Sequence, residues 1–182
     1  PSASCFDMIL TPKTLKPSGQ AEKYLYTLAG ERLTGIKETG YHNATMQRGM
    51  EMEEEARNLF EMIMGVDVEQ VGMIYPDERK LYSCSPDGMM DHAGLEIKCP
   101  IISTHVAYLL AGTIPREYIL QVQGAMLITG FPHWFFLSYY PQLPPLILKV
   151  SRDEPVCAAL KVELEGFCER LDETEARLRE LA

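Results

Sequence analysis

Apolar and polar positions recur along this chain with two periods, and the switches between them mark its elements. Residues 20–33 carry Ala21, Tyr24, Leu25, Leu28 and Ala29 at helical spacing. Residues 46–64 form a longer helical stretch, stopped by Gly65. Between the two, residues 34–43 are polar and contain glycine, which predicts a mobile loop. Residues 68–75 and 81–85 read as strands around the turn Pro76-Asp77-Glu78-Arg79. Leu95, Ile97 and Cys99 alternate with Glu96 and Lys98, so 95–99 is expected to be a strand with one apolar face. Residues 103–110 and 115–129 are predicted helices, the second with a proline in its first turn. Aromatic and β-branched runs at 133–140 and 146–150 predict two more strands. An amphipathic helix over 155–181, through Leu160, Val162, Leu164, Phe167 and Leu171, closes the chain. Helices on both sides of a short sheet make an α/β layer architecture. With no repeat, low-complexity tract or linker, residues 1–182 are expected to form one domain.

One stretch breaks the pattern. In "SPDGMMDHAGLEIKCP", residues 85–100, an acid stands on one arm and Glu-Ile-Lys on the other. Asp91-His92-Ala93-Gly94 is turn chemistry, with Gly94 free to take a positive φ, and a hairpin there would fold Asp87 back toward Glu96. Two carboxylates and the Lys98 ammonium then share a small patch, either a solvated ion pair or a metal site. A hard cation such as Mg²⁺ takes oxygen ligands, and Asp87, Glu96 and the carbonyl of Ile97 supply them. Lys98 beside them suits orienting or deprotonating a water, or steadying charge developing on phosphorus.

The helix over 46–64 adds a second irregularity. At 100° per residue, Glu53 falls within about 20° of Met46, Phe60 and Met64, in the apolar sector. Glu51, Glu54, Glu55 and Glu61 fall on the polar side. An inward carboxylate needs a cation or a hydrogen-bonding network. Either a metal or Arg57, one turn on, can answer it.

Composition narrows the classes only slightly. Hydrophobic residues make up 46% and charged residues 24%, an ordinary soluble mixture. No apolar run reaches the ~20 residues of a membrane span. The chain starts at Pro1, with neither Met nor a signal-type segment, and is expected to be a trimmed piece. Five cysteines without a Cys-x-x-Cys pair disfavour a disulfide framework, zinc finger or iron–sulfur site and suit a reducing cytoplasm. The net charge of −9 is uneven: residues 153–182 hold nine acids and four bases, a net of −5, leaving −4 for the first 152. A local basic groove remains compatible with that balance, so charge neither supports nor excludes DNA as a partner.

The Pro-Asp-Gly…Leu-Glu-Ile-Lys arrangement matches the PD-(D/E)xK nuclease signature, with Asp87, Glu96 and Lys98 at its three positions. That signature alone is unspecific. However, "RGMEMEEEARNLFE", "YPDERKLYSCSPDG", "LEIKCP" and "LQVQGAMLITGFPHWFFLSYYP" occur in an order that resembles the lambda-exonuclease (YqaJ-type viral recombinase) family. The resemblance runs from Ser2 to about Val150, and "SASCFDMIL" looks like that family's small-residue helix start.

The resemblance implies a restriction-endonuclease-like core, a short mixed central sheet flanked by helices. It implies a Mg²⁺-dependent 5′→3′ exonuclease, with Mn²⁺ as a possible substitute. Such an enzyme processively digests one strand of linear duplex DNA and leaves a 3′ overhang for a single-strand annealing recombinase. It would be phage or prophage encoded, act in the bacterial cytoplasm and assemble as a homotrimeric ring. Asp87, Glu96 and the Ile97 carbonyl would hold metal, Lys98 would be the catalytic lysine, and Glu53 falls on the family's helix acid. Ser4, Ser85 and Gln121 fall where relatives bind the substrate's 5′-phosphate, and helix-start amides near Ser4 would favour the same anion. Relatives also carry an Arg-x-Gly segment ahead of this point, so no arginine contact is assigned.

Other residues keep plainer readings. Asp77, in a second Pro-Asp, is given a supporting role at most. His42, His92, His105 and His133 lack ligand spacing and read as surface or supporting residues. Trp134, Phe135, Phe136, Tyr139 and Tyr140 read as core before they read as a base-stacking platform. Cys84 and Cys99 read as small buried hydrophobes. Two rivals remain. A RecB- or Cas4-like nuclease would carry cluster-binding cysteines and a tyrosine four residues after Gln121, where Ala125 stands. An inactive DNA-binding or assembly module would have no chemical reason to keep Asp87, Glu96 and Lys98 together.

Overall fold

The computed structural model describes residues 1–38 and 44–181. His42, the end of the expected 34–43 loop and the side chain of Met46 lie outside the described residues. A short 3₁₀ segment, Ala3–Met8, and a two-stranded ribbon, β1 (Leu10–Thr11) with β2 (Lys16–Pro17), precede helices α1 (Ala21–Thr34) and α2 (Ala44–Met64). A hairpin of β3 (Gly88–Met90) and β4 (Ala93–Lys98) follows. Helices α3 (Ile102–Ala111) and α4 (Arg116–Thr129) then lead to β5 (His133–Ser138), β6 (Leu146–Ser151) and the terminal helix α5 (Glu154–Glu180).

The sheet order is β3-β4-β5-β6, with β4 and β5 parallel and both outer pairs antiparallel. Parallel neighbours need a long crossover, which α3 and α4 provide. This is the short mixed sheet flanked by helices that the sequence leads one to expect. Two expected strands do not form ladders. Residues 68–75 and 81–85 are held only by isolated bridges, Glu69–Met89, Ile74–Cys84 and Ser2–Ser83.

Two apolar clusters hold the layers. On one face, Ala56 and Phe60 of α2 meet Leu95, Ile97, Leu137 and Tyr139. On the other, Phe6, Leu120, Met126, Trp134, Leu160, Leu164 and Phe167 join the 3₁₀ segment, α4, α5 and the sheet. Glycine sets two of these approaches. A Cβ on Gly94 would lie 2.1 Å from the Trp134 ring, and one on Gly124 2.4 Å from the Phe6 ring. Helix α5 is capped by Asp153, whose side chain accepts from Val156 N, with Pro155 in its first turn. Trp134, Phe136 and Tyr139 of the aromatic run are buried in the core, while Phe135 and Tyr140 are partly exposed. Among the described residues no helix is long and apolar enough to cross a membrane.

Candidate active site

The hairpin closes more tightly than the sequence suggests. Met90 pairs with Ala93, so only Asp91 and His92 form the turn. Gly94 lies inside β4 rather than in a left-handed turn, and its lack of a side chain makes room for Trp134. This register sets Asp87 against the far end of β4. Asp87 N donates to Leu95 O at 3.1 Å, and Asp87 Oδ2 accepts from Ile97 N at 2.6 Å. Lys98 O is taken by Tyr139 N on the β5 side. Ile97, whose N–H faces Asp87, turns its carbonyl to that same edge, because a strand residue's N–H and C=O share a side.

Glu96 and Lys98 project from the face of β4 that looks at α4. Only 3% of Glu96 is exposed. Its Oε1 accepts from Lys98 Nζ at 2.6 Å and from Gln121 Nε2 at 2.5 Å. The Lys98 ammonium also sits 4.9 Å from the centroid of the Tyr118 ring.

Burial, and then the charge of Glu96, push the Asp87 carboxyl up to about 7. Burial likewise raises Glu96, although Lys98 and Gln121 counter it. Lys98 is opposite in balance. Burial opposes its charge, yet the charge and hydrogen bond of Glu96, with Asp87 behind, hold its pKa above the ordinary value. Lys98 is therefore an ammonium at neutral pH, suited to stabilising negative charge.

Two adjacent acids that burial and mutual repulsion keep from ionising together form a site that a cation would relieve. Its donors are oxygens: Asp87, Glu96 and the Ile97 carbonyl. Among the described residues no group of three or more His, Cys, Asp and Glu gathers as a metal cage. One or two carboxylates completed by water and substrate is the set that Mg²⁺ uses, so these residues fit a hard divalent cation. Burial raises the Cys99 thiol to about 11 and the Cys84 thiol to about 12, which leaves both as inert apolar groups.

The remaining predicted residues divide. Glu53 is half-buried and paired with Arg57, Nη2 to Oε1 at 2.8 Å. Arg57 is only 6% exposed and also donates from Nε to Asp87 O at 3.0 Å, so α2 reaches the site through this guanidinium. Gln121 is brought in as a partner of Glu96. Ser85 is exposed two residues before Asp87. Ser4 is exposed on the 3₁₀ segment, and the Ser2–Ser83 bridge lays its strand beside that of Ser85. Two of the expected helix-start amides are already engaged within the protein. The segment is a six-residue 3₁₀ turn whose Ala3 N donates to Ser83 O and Cys5 N to Ser2 O. Asp77 stands apart, its carboxylate spent on the Arg79 side chain at 2.8 Å. His105 is fully buried, bonded to Ser138 Oγ and Pro144 O, while His92 is exposed. Tyr118 escaped the sequence reading; its signal was its place one turn before Gln121 on the same face of α4.

The profile of the YqaJ-like viral recombinase domain matches residues 1–132. The chain belongs to that family. Among solved structures, the alkaline exonuclease LHK-Exo from Laribacter hongkongensis is 32% identical. It superposes with a TM-score of 0.90 over 99% of this chain and 91% of its own. The same exonuclease in complex with dAMP gives 0.88, at 32% identity over 98% and 91%. A phage related exonuclease from Haemophilus somnus 129PT, 17% identical over 97% and 95%, shares the fold at 0.77. No curated protein sequence matches the chain.

Proposed function

We propose that this protein is a divalent-metal-dependent 5′→3′ exonuclease that digests one strand of duplex DNA from its ends. The observation that carries this reading is buried Glu96 beside half-buried Asp87, with the Lys98 ammonium 2.6 Å from Glu96, in a family member 32% identical to an alkaline exonuclease. Asp87, Glu96 and the Ile97 carbonyl hold Mg²⁺, or Mn²⁺ in its place, and Glu53 is a further acid within electrostatic reach. When bound, the cation supplies Lewis-acid polarisation of the phosphodiester and activation of a water.

The chain's own residues do the rest. Gln121 fixes Glu96 from α4, and Arg57 anchors the Asp87 backbone from α2. Lys98 steadies the charge that develops on the phosphoryl oxygens as water adds to phosphorus and the P–O3′ bond breaks. The leaving 3′ oxygen takes a proton, and the next nucleotide keeps the phosphate on its 5′ carbon. Each turnover thus regenerates the end that Ser85, Ser4 and Gln121 recognise, which favours 5′ polarity and mononucleotide products. That a relative's structure holds dAMP, a mononucleotide, agrees with such products.

A chain of net charge −9 gains little retention from long-range attraction to DNA. A closed homotrimeric ring would keep the duplex by topology and explain processive digestion. The 3′ overhang left behind is the substrate for a single-strand annealing recombinase in a phage-type pathway of the bacterial cytoplasm. End-labelled linear duplex, digested with and without Mg²⁺, tests the reading. Label released first from 5′ ends, only with metal, supports it; release first from 3′ ends, or unaffected by chelation, removes it. Sedimentation equilibrium at three protomer masses supports the ring, and a monomer that stops when competitor DNA is added after loading removes it.

A further inference from the structure

The Lys98 ammonium makes two close side-chain contacts, one with an acid of the proposed metal site and one with a ring. Glu96 accepts its hydrogen bond but is also a proposed metal ligand. The second neighbour is the Tyr118 ring, 4.9 Å from Nζ. That ring is itself held: Phe136 of β5 packs at 5.4 Å and 30°, and the Tyr108 ring of α3 stands perpendicular to it at 6.4 Å and 88°. Phe136 is fully buried and is the register partner of Glu96, so the support beneath the ring belongs to the same sheet rung as the acid. Tyr118 and Gln121 stand one helical turn apart on α4, so one helix face holds both the lysine and the glutamate.

We propose that Tyr118 is a positioning residue for the reaction, its ring face fixing the Lys98 ammonium over the scissile phosphate when Glu96 is engaged by the cation. The inference rests on the nuclease reading above. A lysine stem has four rotatable carbons and much rotamer freedom to lose. Once Glu96 shares its charge with a divalent ion, its hold on the ammonium weakens. A ring quadrupole is unaffected by that sharing and attracts the cation with no proton exchanged. The Tyr118 hydroxyl plays no part in this, so phenylalanine should serve.

Tyr118→Leu should lower kcat about tenfold with KM for DNA ends unchanged, as expected for losing a contact of cation–π size. Tyr118→Phe should restore most of the rate. A pentafluorophenyl ring in place of the Tyr118 ring keeps the shape but inverts the quadrupole, so it should fold normally and be as slow as the leucine variant. In the metal-free protein, the Lys98 ε-methylene protons should show an upfield ring-current shift that vanishes in Tyr118→Leu and persists in Tyr118→Phe. Full kcat in the leucine or fluorinated protein overturns the inference, as does a phenylalanine variant as slow as leucine. A raised KM with normal kcat also overturns it and makes Tyr118 a DNA contact. Lys98→Ala separates the two levels. If it is inactive while Tyr118→Leu is normal, only the positioning role falls. If it is fully active, Lys98 is not the catalytic lysine and the inference falls with that assignment, whereas the nuclease reading falls only if wild type with Mg²⁺ releases no nucleotide.

Discussion

The two faces of β4 differ as sharply as any two regions of the molecule. Toward α2 the strand presents Leu95 and Ile97, 0% and 5% exposed, packed on Ala56 and Phe60. Toward α4 it presents Gly94, Glu96 and Lys98, and there too the strand is covered. A strand buried on both faces is ordinarily an unbroken apolar run. Here the second face of β4 turns ionisable after Gly94: its next two side chains are an acid and an ammonium, although β5 still offers buried Phe136 beside Glu96. On β4 itself the apolar side chains lie on one face and the ionisable ones on the other, separated by the thickness of a backbone.

The largest effect should come from the polar face. Lys98→Ala should cut DNA hydrolysis about 10³-fold, the scale of losing a preorganised charge stabiliser. End binding and the unfolding midpoint should stay near wild type, because the side chain faces the site. Single-turnover digestion and a thermal melt of the same preparation measure both, and a collapsed melt would show that the face is structural after all. Leu95→Ala is the mirror experiment. It empties a fully buried position and should cost about 2–5 kcal/mol in denaturant unfolding. The folded fraction should keep kcat within a few-fold; a loss like that of Lys98→Ala would mean that the faces are not separable.

Much of this contrast was legible in the sequence, because period 2 over residues 95–99 sorts Leu95 and Ile97 from Glu96 and Lys98. Alternation alone would place Glu96 in solvent, though, and its burial depends on α4, a contact made across 25 residues of sequence. The same reason explains the other departures. Residues 68–75 have strand composition, but Gly72 interrupts them and their partners, Met89 and Cys84, lie on different segments. The helical wheel placed Glu53 inward correctly enough to predict a partner, yet it could not choose between a cation and Arg57, whose buried guanidinium also bonds the Asp87 backbone. A lone histidine carries no burial signal, and His105 proved fully buried. Gly94 fitted a turn by composition, but the tighter Asp91-His92 turn freed it to admit Trp134.

A smaller effect tests whether the polar face weakens the fold that carries it. Asp87 has a folded pKa raised from 3.8 to about 7, by burial and then by Glu96. A raised acid binds protons more tightly when folded, so its stabilising contribution is complete below the unfolded pKa and disappears as pH rises through about 7. Metal-free protein should therefore melt lower at pH 8 than at pH 5.5, and Mg²⁺ should recover part of the difference at pH 8 only. Asp87→Asn keeps an oxygen for Ile97 N but cannot ionise, and should be about 1–2 kcal/mol more stable than wild type at pH 8 without metal. An asparagine variant with the same pH slope as wild type would mean that the pair carries no such strain.

The smallest effect concerns how the DNA end meets this face. Ser85 is exposed, and only buried Pro86 separates it from Asp87. Ala3 N to Ser83 O and Ser83 N to Pro1 O hold the first residues alongside it, so Ser4 and Ser85 each lie two residues past the Ser2–Ser83 bridge. Ser4 Oγ bonds Ser2 Oγ at 2.9 Å and Gln121 already gives one N–H to Glu96, leaving Ser85 the least committed of the three expected phosphate donors. One hydroxyl bonded to a charged, water-exposed phosphate is worth about 1 kcal/mol. Ser85→Ala should therefore reduce the preference for 5′-phosphate over 5′-hydroxyl ends roughly five- to tenfold, with the rate on hydroxyl ends unchanged. The ratio of kcat/KM on the two end types measures this, and Ser4→Ala reports the second hydroxyl separately. If the ratio is unaltered in Ser85→Ala, the phosphate lies elsewhere. If wild type cuts both ends equally, no phosphate pocket exists, and the polar face of β4 must choose its strand end by other means.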